Sequence, residues 1–401
     1  MTSTMTTPAA PAPTVDELVE ELEARFDDLD LGRIRAWKAA APGRIAVGCL
    51  PVFAPREVIW AAGALPVFVR GGGDRIETIR GDAFYQSYIC HLPRSTLELG
   101  LLGHLDALDG LIFPNTCDVV RNLSGVWQGT FPQHFVRFID PPQSAEPASA
   151  AAYLHHELTA MYRDLCARTG REPAPEHLVR AIGEYGEAMR AATELSDARR
   201  ARPWDLPIDE VYLLRRAADQ LPPLEWAALC RAYLAAAYRR GNKPEDRVRV
   251  CLVGAFCEKP PRPLLRAAEK AGCYVVDDDL TVGVEPGGPA PDLAVDGDPM
   301  AAIVHAWLRA TRPSAVRFDE HASAGRALVA RVHACGADGV LFAAPSFCDP
   351  ALLDQPRLTR VLDAEGIPYT AFKYAENTGQ FQAIREQAGT FADSVKLWGT
   401  A

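Results

Sequence analysis

The same α/β pattern is written twice in this chain, and that repetition limits the folds open to it. One copy begins "RIAVGCLPVFAPREVIWAAGALPVFV" (Arg44 to Val69) and the other "RVCLVGAFCEKPPRPLLRAAEKAGCYVV" (Arg249 to Val276). Each reads as a short apolar strand, a Pro-containing loop, a helix that stops at Gly63 or Gly272, and a second apolar strand. Pro suits a helix start, where its missing N–H has no partner to lose, and Gly suits the stop because it accepts a left-handed backbone. Farther on, "ALDGLIFPNTCD" ends at Asp118 and "GADGVLFAAPSFCD" at Asp349, each a Gly turn, a strand, a short loop and then Cys-Asp. The order of parts is kept between the copies, with some slippage in spacing. Strands alternating with helices predict parallel sheets covered on both faces. The expected fold is α/β: two similar Rossmann-like lobes with parallel sheets, joined by a helical segment.

At 401 residues the chain exceeds one ordinary core. The opening "MTSTMTTPAAPAPT" is polar and Pro/Ala-rich, without the charged-then-apolar order of a secretory signal, and predicts a disordered tail over residues 1–14. An N-terminal lobe is expected over 15–150, a helical connecting segment over 151–245 and a C-terminal lobe over 246–401. In the connector, "PEHLVRAIGEYGEAMRAATEL" sets Leu178, Ile182, Tyr185, Met189 and Leu195 near one helical face. A second helix is expected from Pro223, stopping at Gly241. Between them "SDARRARPWDLP" (Ser196 to Pro207) reads as a breaker whose Arg run is a solvated surface. The stretch 141–150 reads as a linker and "VEPGGPAPD" (284–292) as a surface loop.

A formal charge of −10 argues against a nucleic-acid partner. No apolar run reaches the roughly 18 residues of a bilayer span, so no membrane is expected and a cytoplasmic location is. In a reducing compartment the ten cysteines serve as buried filler, metal ligands or reactive groups rather than disulfides. Cys166, Cys230, Cys251, Cys273 and Cys335 lie in or beside apolar helix and strand runs and read as filler. Cys49 and Cys257 follow the first strand of each lobe and read as packing or incidental thiols. Cys90, Cys117 and Cys348 fall instead in loops, with Pro93, Pro114, Pro345 and Pro350 nearby to stiffen them. Ligands of parallel sheets sit outside the carboxyl ends of the strands, so Cys117 and Cys348 are expected in the crevice where the lobes face each other. Three thiolates from separate loops suit a soft metal site, not a zinc ribbon built on tight local pairs; the alternative is three loop thiols with no shared role. The chain has no C-x-x-C, no G-x-x-x-x-G-K-[ST] phosphate loop and no G-x-G-x-x-G fingerprint, so neither ATP nor a nicotinamide is expected to bind here. "RGGGD" (Arg70 to Asp74) reads as a mobile turn after a strand.

Four stretches carry a family likeness. "GDAFYQSYICHLPRSTLELG", "DGLIFPNTCDVVRNLSGVWQ", "SFCDPALLDQPRLTRVLDAEGIPYTAFKYAEN" and "IREQAGTFADSVKLW" closely resemble the benzoyl-CoA reductase and 2-hydroxyacyl-CoA dehydratase family, with the ATP-dependent reductase branch the nearer likeness. The resemblance spans residue 15 to the C-terminus. It implies a 4Fe–4S cluster held by Cys90, Cys117 and Cys348, one iron keeping an open position because clusters usually take four thiolates. A fourth protein ligand would remove that opening. It also implies a heterodimer with a sister subunit, ATPase or activator subunits with their own cluster, reduced ferredoxin as indirect electron source, and a CoA-thioester substrate. The implied reaction is reductive dearomatisation of benzoyl-CoA by single electrons. Dehydration of a 2-hydroxyacyl-CoA through a ketyl radical, and a scaffold or electron-relay subunit, stay open beside it.

The neighbours of these cysteines have two readings each. His91 donates a proton to the substrate or bonds backbone. Asp118 and Asp349 cap the helices that follow, or tune the cluster. Arg94 and Arg121 meet CoA phosphates or form surface ion pairs. Trp127, Phe131, Phe135 and Phe138 form a core stripe or an aromatic wall beside the substrate.

Overall fold

The computed structural model describes residues 13–144, 148–254, 257–280, 297–310, 316, 323–375 and 381–398. Most of the expected tail, part of the 141–150 linker and all of the 284–292 loop lie outside these residues.

Two four-stranded sheets organise the chain. The first holds β1 (Ile45–Cys49), β2 (Ala64–Phe68), β3 (Gly110–Pro114) and β4 (Phe135–Ile139), in the order β2-β1-β3-β4. The second holds β5 (Val248–Val253), β6 (Cys273–Asp278), β7 (Gly339–Pro345) and β8 (Tyr369–Tyr374), in the order β6-β5-β7-β8. Every pairing is parallel, and the two orders are the same permutation. The duplication seen in the sequence is therefore a duplication of topology. Strands β2, β3, β6 and β7 are buried along their whole length, as helices on both faces require. Pro66 sits on the edge strand β2, where its missing N–H costs no ladder bond on the open side.

The helices follow as α1 (Val15–Asp27), α2 (Gly32–Ala39), α3 (Arg56–Ala61), α4 (His91–Leu101), α5 (Asp118–Thr130), α6 (Ala148–Thr169), α7 (Pro175–Ala201), α8 (Ile208–Ala217), α9 (Pro223–Ala237), α10 (Arg262–Lys270), α11 (Pro299–Ala310), α12 (Ala324–Cys335), α13 (Asp349–Ala364) and α14 (Phe381–Trp398). Gly63 after α3 and Gly272 after α10 take left-handed backbones, φ +89° and +92°, as the repeat predicts. The α7 face Leu178, Ile182, Tyr185, Met189 and Leu195 is buried. Two helices reach beyond their neighbours in sequence. Val15, Leu18 and Leu22 of α1 pack into the core of the connector helices, and Met300, Ile303 and Val304 of α11 pack under the first sheet with Val47, Ile112 and Leu158.

The breaker is shorter than the sequence predicts, and its Arg run is only partly solvated: Arg200 and Arg202 are 35% and 38% exposed, but Arg199 is buried. Helix α7 continues through Ser196–Ala201. Arg199 is 3% exposed and pairs with Asp278 at 2.7 Å, while Arg200 pairs with Asp277 at 3.0 Å. Strand β6 ends in these two carboxylates, and buried carboxylates need countercharges that only neighbouring arginines supply. No helix among the described residues is long and apolar enough to cross a membrane.

Candidate metal centre

In each lobe the crossover between the central strands opens at their carboxyl ends, and the loop cysteines stand there. Cys117 follows β3 and Cys348 follows β7, each as the residue capping the next helix, α5 or α13. Cys90 caps α4 in the same way. All three sulfurs thus stand at positive helix ends, where a thiolate is favoured. Backbone N–H groups of Val119 and Val120 are aimed at the Cys117 sulfur, and that of Ala351 at Cys348, without closing to a hydrogen-bonded cap. Asp118 and Asp349, expected as caps, are the first helical residues instead, because the cysteine already occupies the cap position.

The three thiols, drawn from both lobes, lie near enough to feel one another's charge. Cys90 interacts electrostatically with Cys348 and Cys117, and Cys348 with Cys117. A fourth thiol, Cys257, belongs to the same group. It packs with Cys90 and Leu92 in one apolar cluster, hydrogen-bonds the Cys117 sulfur, and interacts with Cys348 and Cys90. That burial fits the packing thiol expected at 257. Cys49 fits the same expectation: it is fully buried in the core between the first sheet and its helices.

The electrostatics differ between the four. The hydrogen bond from Cys257 is the main influence that lowers the Cys117 thiol to about 7, against burial, with the N–H groups of Val120 and Val119 adding to it. Burial pushes Cys348 up to about 12. Burial, then the carboxylate of Glu258, pushes Cys90 well up.

The loops are held by specific bonds. Thr116, 2% exposed, donates to the Pro51 carbonyl at 2.9 Å and accepts from Val52 N–H at 3.2 Å, tying the loops after β1 and β3 together. Glu258 reaches across from the second lobe and accepts from the N–H groups of His91 and Leu92 at 2.8 and 3.3 Å, filling the α4 N-terminus. The Tyr374 hydroxyl donates to the Glu258 carbonyl at 3.1 Å. Arg94 forms a two-point pair with Asp82 at 2.6 and 2.7 Å, and Gly81 N–H donates to Glu98 at 2.6 Å, so the segment before Cys90 is fastened to α4. "RGGGD" is a closely packed turn: a Cβ on Gly71 would lie 2.4 Å from the Ser95 hydroxyl.

Of the other expected residues, His91 is half-buried beside Cys90. Arg121 pairs with Asp118 at 2.7 Å, both exposed, and Arg94 is committed to Asp82. Trp127 and Phe131 are buried in the core of the first lobe, with Phe138 packed against it, so the stripe is core. Thr116, Cys257 and Glu258 were not singled out in the sequence as site residues. The one legible signal for Cys257 and Glu258 is loop length, 254–261 before α10 against 50–55 before α3; Thr116, in the loop after β3, has none.

Among the described residues no three His, Cys, Asp or Glu side chains close around a point as a single metal ion requires. A lone ion draws thiolates to roughly 2.3 Å from its centre. A cluster spreads its irons over separate corners, so each thiolate has to reach only its own iron. Thiols from separate loops that feel one another's charge suit that looser demand, and all-sulfur donors suit an iron–sulfur group.

A paired-lobe parallel α/β chain with cysteines capping the helices around its central crevice is the class these observations define. The family model described as 2-hydroxyglutaryl-CoA dehydratase, D-component, matches residues 51–395, and the chain belongs to that family. It is 43% identical over 383 residues to the C subunit of benzoyl-CoA reductase from Thauera aromatica, covering 95% of this chain and 99% of that protein. It is 25% identical over 362 residues to the beta subunit of lactoyl-CoA dehydratase from Anaerotignum propionicum, covering 89% and 93%. It is also 25% identical over 366 residues to the beta subunit of (R)-2-hydroxyglutaryl-CoA dehydratase from Acidaminococcus fermentans, covering 89% and 94%.

Proposed function

We propose that this chain is a cluster-bearing subunit of an ATP-dependent benzoyl-CoA reductase, which reduces benzoyl-CoA to cyclohexa-1,5-diene-1-carbonyl-CoA in anaerobic aromatic degradation. Near-full-length likeness to the benzoyl-CoA reductase C subunit supports the substrate class. What supports the site is that Cys90, Cys117 and Cys348 each cap a helix N-terminus and lie near enough to feel one another's charge. These three thiolates hold a 4Fe–4S cluster, which supplies single electrons when bound. The chain's own residues position and shield it. Helix ends favour the thiolate forms, Thr116 and Glu258 fix the loops, and the apolar packing around Cys90 keeps water away. His91, next to Cys90, donates a proton to the reduced ring.

ATP is hydrolysed by separate activator subunits, which carry their own cluster and receive electrons from reduced ferredoxin. The heterodimer is made with a sister subunit, in the cytoplasm. Tyr88 and Phe347 are 63% and 53% exposed, beside Cys90 and Cys348, and such apolar side chains at the crevice suit burial against that subunit.

The test uses the anaerobically purified complex. Expected are iron and sulfide in the complex, and consumption of reductant and ATP with benzoyl-CoA. Cys117→Ser is expected to abolish ring reduction while ATP hydrolysis by the activator persists. Unchanged ring reduction in that variant would favour a scaffold. Catalytic, non-consumed electrons with a 2-hydroxyacyl thioester would favour a dehydratase, the activity named in the two 25% relatives.

A further inference from the structure

The two copies of the α/β unit fill one packed corner differently. The turn before the second central strand is built alike in both. Asp109 N–H donates to the Ala46 carbonyl at 2.9 Å and its carboxylate accepts from Ala46 N–H at 2.8 Å. Asp338 makes the same two bonds with Arg249, at 2.7 and 2.8 Å. Val47 then pairs with Gly110, and Val250 with Gly339. That match sets Cys251 in the place of Gly48 and Ala337 in the place of Leu108. In the first lobe the place has no room for a side chain: a Cβ on Gly48 would lie 2.9 Å from both Leu108 and Leu111. In the second lobe it holds the Cys251 side chain, and Cys335, the last residue of α12, stands against it with the sulfurs 3.4 Å apart. The fold can fill this corner with leucine carbons; here two thiols fill it. Cys49 and Cys230, also filler, bond backbone carbonyls instead, of Val47 at 3.6 Å and Ala191 at 3.4 Å.

The pair is placed to react. A sulfur–sulfur bond needs the two atoms roughly 1.3 Å closer. Cys335 ends its helix before Gly336, whose φ of +60° turns the chain, and helix ends yield more readily than helix middles. The two thiols are unequal. The Cys251 thiol donates to the Cys335 sulfur and the Ala337 N–H faces it, which favours the Cys335 thiolate against its burial. Cys251 is fully buried and Cys335 is 4% exposed, so Cys335 is the sulfur that a water-sized reagent meets first. Helix α12 ends before β7 begins, so the pair lies toward the amino ends of the strands, away from the cysteines at their carboxyl ends.

We propose that Cys251 and Cys335 form a modification site, a thiol pair that peroxide closes into an intrachain disulfide joining β5 to the end of α12. The Cys335 thiolate attacks one peroxide oxygen and the O–O bond breaks. Cys335 becomes a sulfenic acid, and the other oxygen leaves as hydroxide and takes the proton that the thiol gave up. The Cys251 thiol then attacks the Cys335 sulfur, the S–O bond breaks, and the hydroxyl leaves with the Cys251 proton as water. Two thiols lose two electrons, and one peroxide is reduced to two waters.

The experiment uses the full-length chain purified without oxygen and titrated with hydrogen peroxide. Catalase stops the reaction, the chain is denatured with N-ethylmaleimide present, and its peptides are mapped by mass spectrometry. Expected is a linked Cys251–Cys335 peptide, two hydrogens lighter than the sum of its parts, with both residues lost one for one from the alkylated pool and restored by dithiothreitol. Cys251→Ser is expected to stop at a Cys335 sulfenic acid that dimedone traps, and Cys335→Ser to leave Cys251 open to alkylation. Free Cys251 and Cys335 in the wild type once peroxide has oxidised other thiols, or Cys251 linked to a different cysteine, overturns the proposal. The wild-type peptides decide even where a variant does not fold, and they do so whatever iron the chain holds.

Discussion

Asp278 ends strand β6 fully out of water and faces two guanidinium groups, Arg199 at 2.7 Å and Arg215 at 2.9 Å. Burial alone would push its carboxyl up, but Arg215 and Arg199 outweigh it and hold the group below the usual carboxylate range. A depressed folded pKa contributes stability that is complete above the unfolded value of about 3.9 and is lost as pH falls through the lower folded one. Asp278→Asn removes the negative charge that faces two buried cations and is expected to cost about 3–5 kcal/mol at neutral pH. Thermal unfolding across pH 3 to 7 is the check: the variant should start lower and lose less on acidification, and parallel curves would show that Asp278 is not the group responsible. This network explains why one sequence expectation failed. Runs of arginine are mostly solvated, and nothing local in "SDARRA" shows that α7 will lie against a strand ending in acids.

The elements were legible where local chemistry sets them. Gly stops, Pro starts and apolar strands follow from backbone preferences, and each copy of the unit returned the same strand order. Close approach between strands is a further constraint, visible only in three dimensions. A Cβ on Gly110, at the start of β3, would lie 2.3 Å from the Phe135 carbonyl oxygen of β4, and one on Gly339 would lie 2.7 Å from the Pro368 carbonyl oxygen beside β8. Gly110→Ala is therefore expected to force the β3–β4 pairing apart and cost about 1–3 kcal/mol. Gly125, inside α5, has no neighbouring atom within 4 Å of where a methyl group would stand, so Gly125→Ala is expected to stabilise by about 0.5–1 kcal/mol through helix propensity. The two substitutions are chemically identical, and opposite shifts in melting temperature test whether close approach or backbone entropy decides at each site. Equal shifts of the same sign would contradict the packing argument.

Across the whole molecule the site is a property of neither lobe alone, which is why half of it was hidden in the sequence. Cys117 and Cys348 announce themselves as the same Cys-Asp step after matching strands. Cys257 and Glu258 have no counterpart in the other copy, and their role emerges only when the lobes close on each other. Glu258 is the clasp: it is 2% exposed and joins the second lobe to the first turn of α4, which begins directly after Cys90. Glu258→Ala removes the acceptor from two backbone donors. Stranding a buried donor costs about 1–3 kcal/mol. The α4 N-terminus is then expected to open to water and Cys90 to drift from Cys257. Hydrogen exchange at His91 and Leu92 should speed up, and melting temperature should fall. Glu258→Gln keeps a carbonyl oxygen in the same place and should hold most of the protection while giving up the charge. Protection in the Ala variant equal to that of the wild type would mean that α4 is positioned by the first lobe alone and that the crevice does not depend on this bridge.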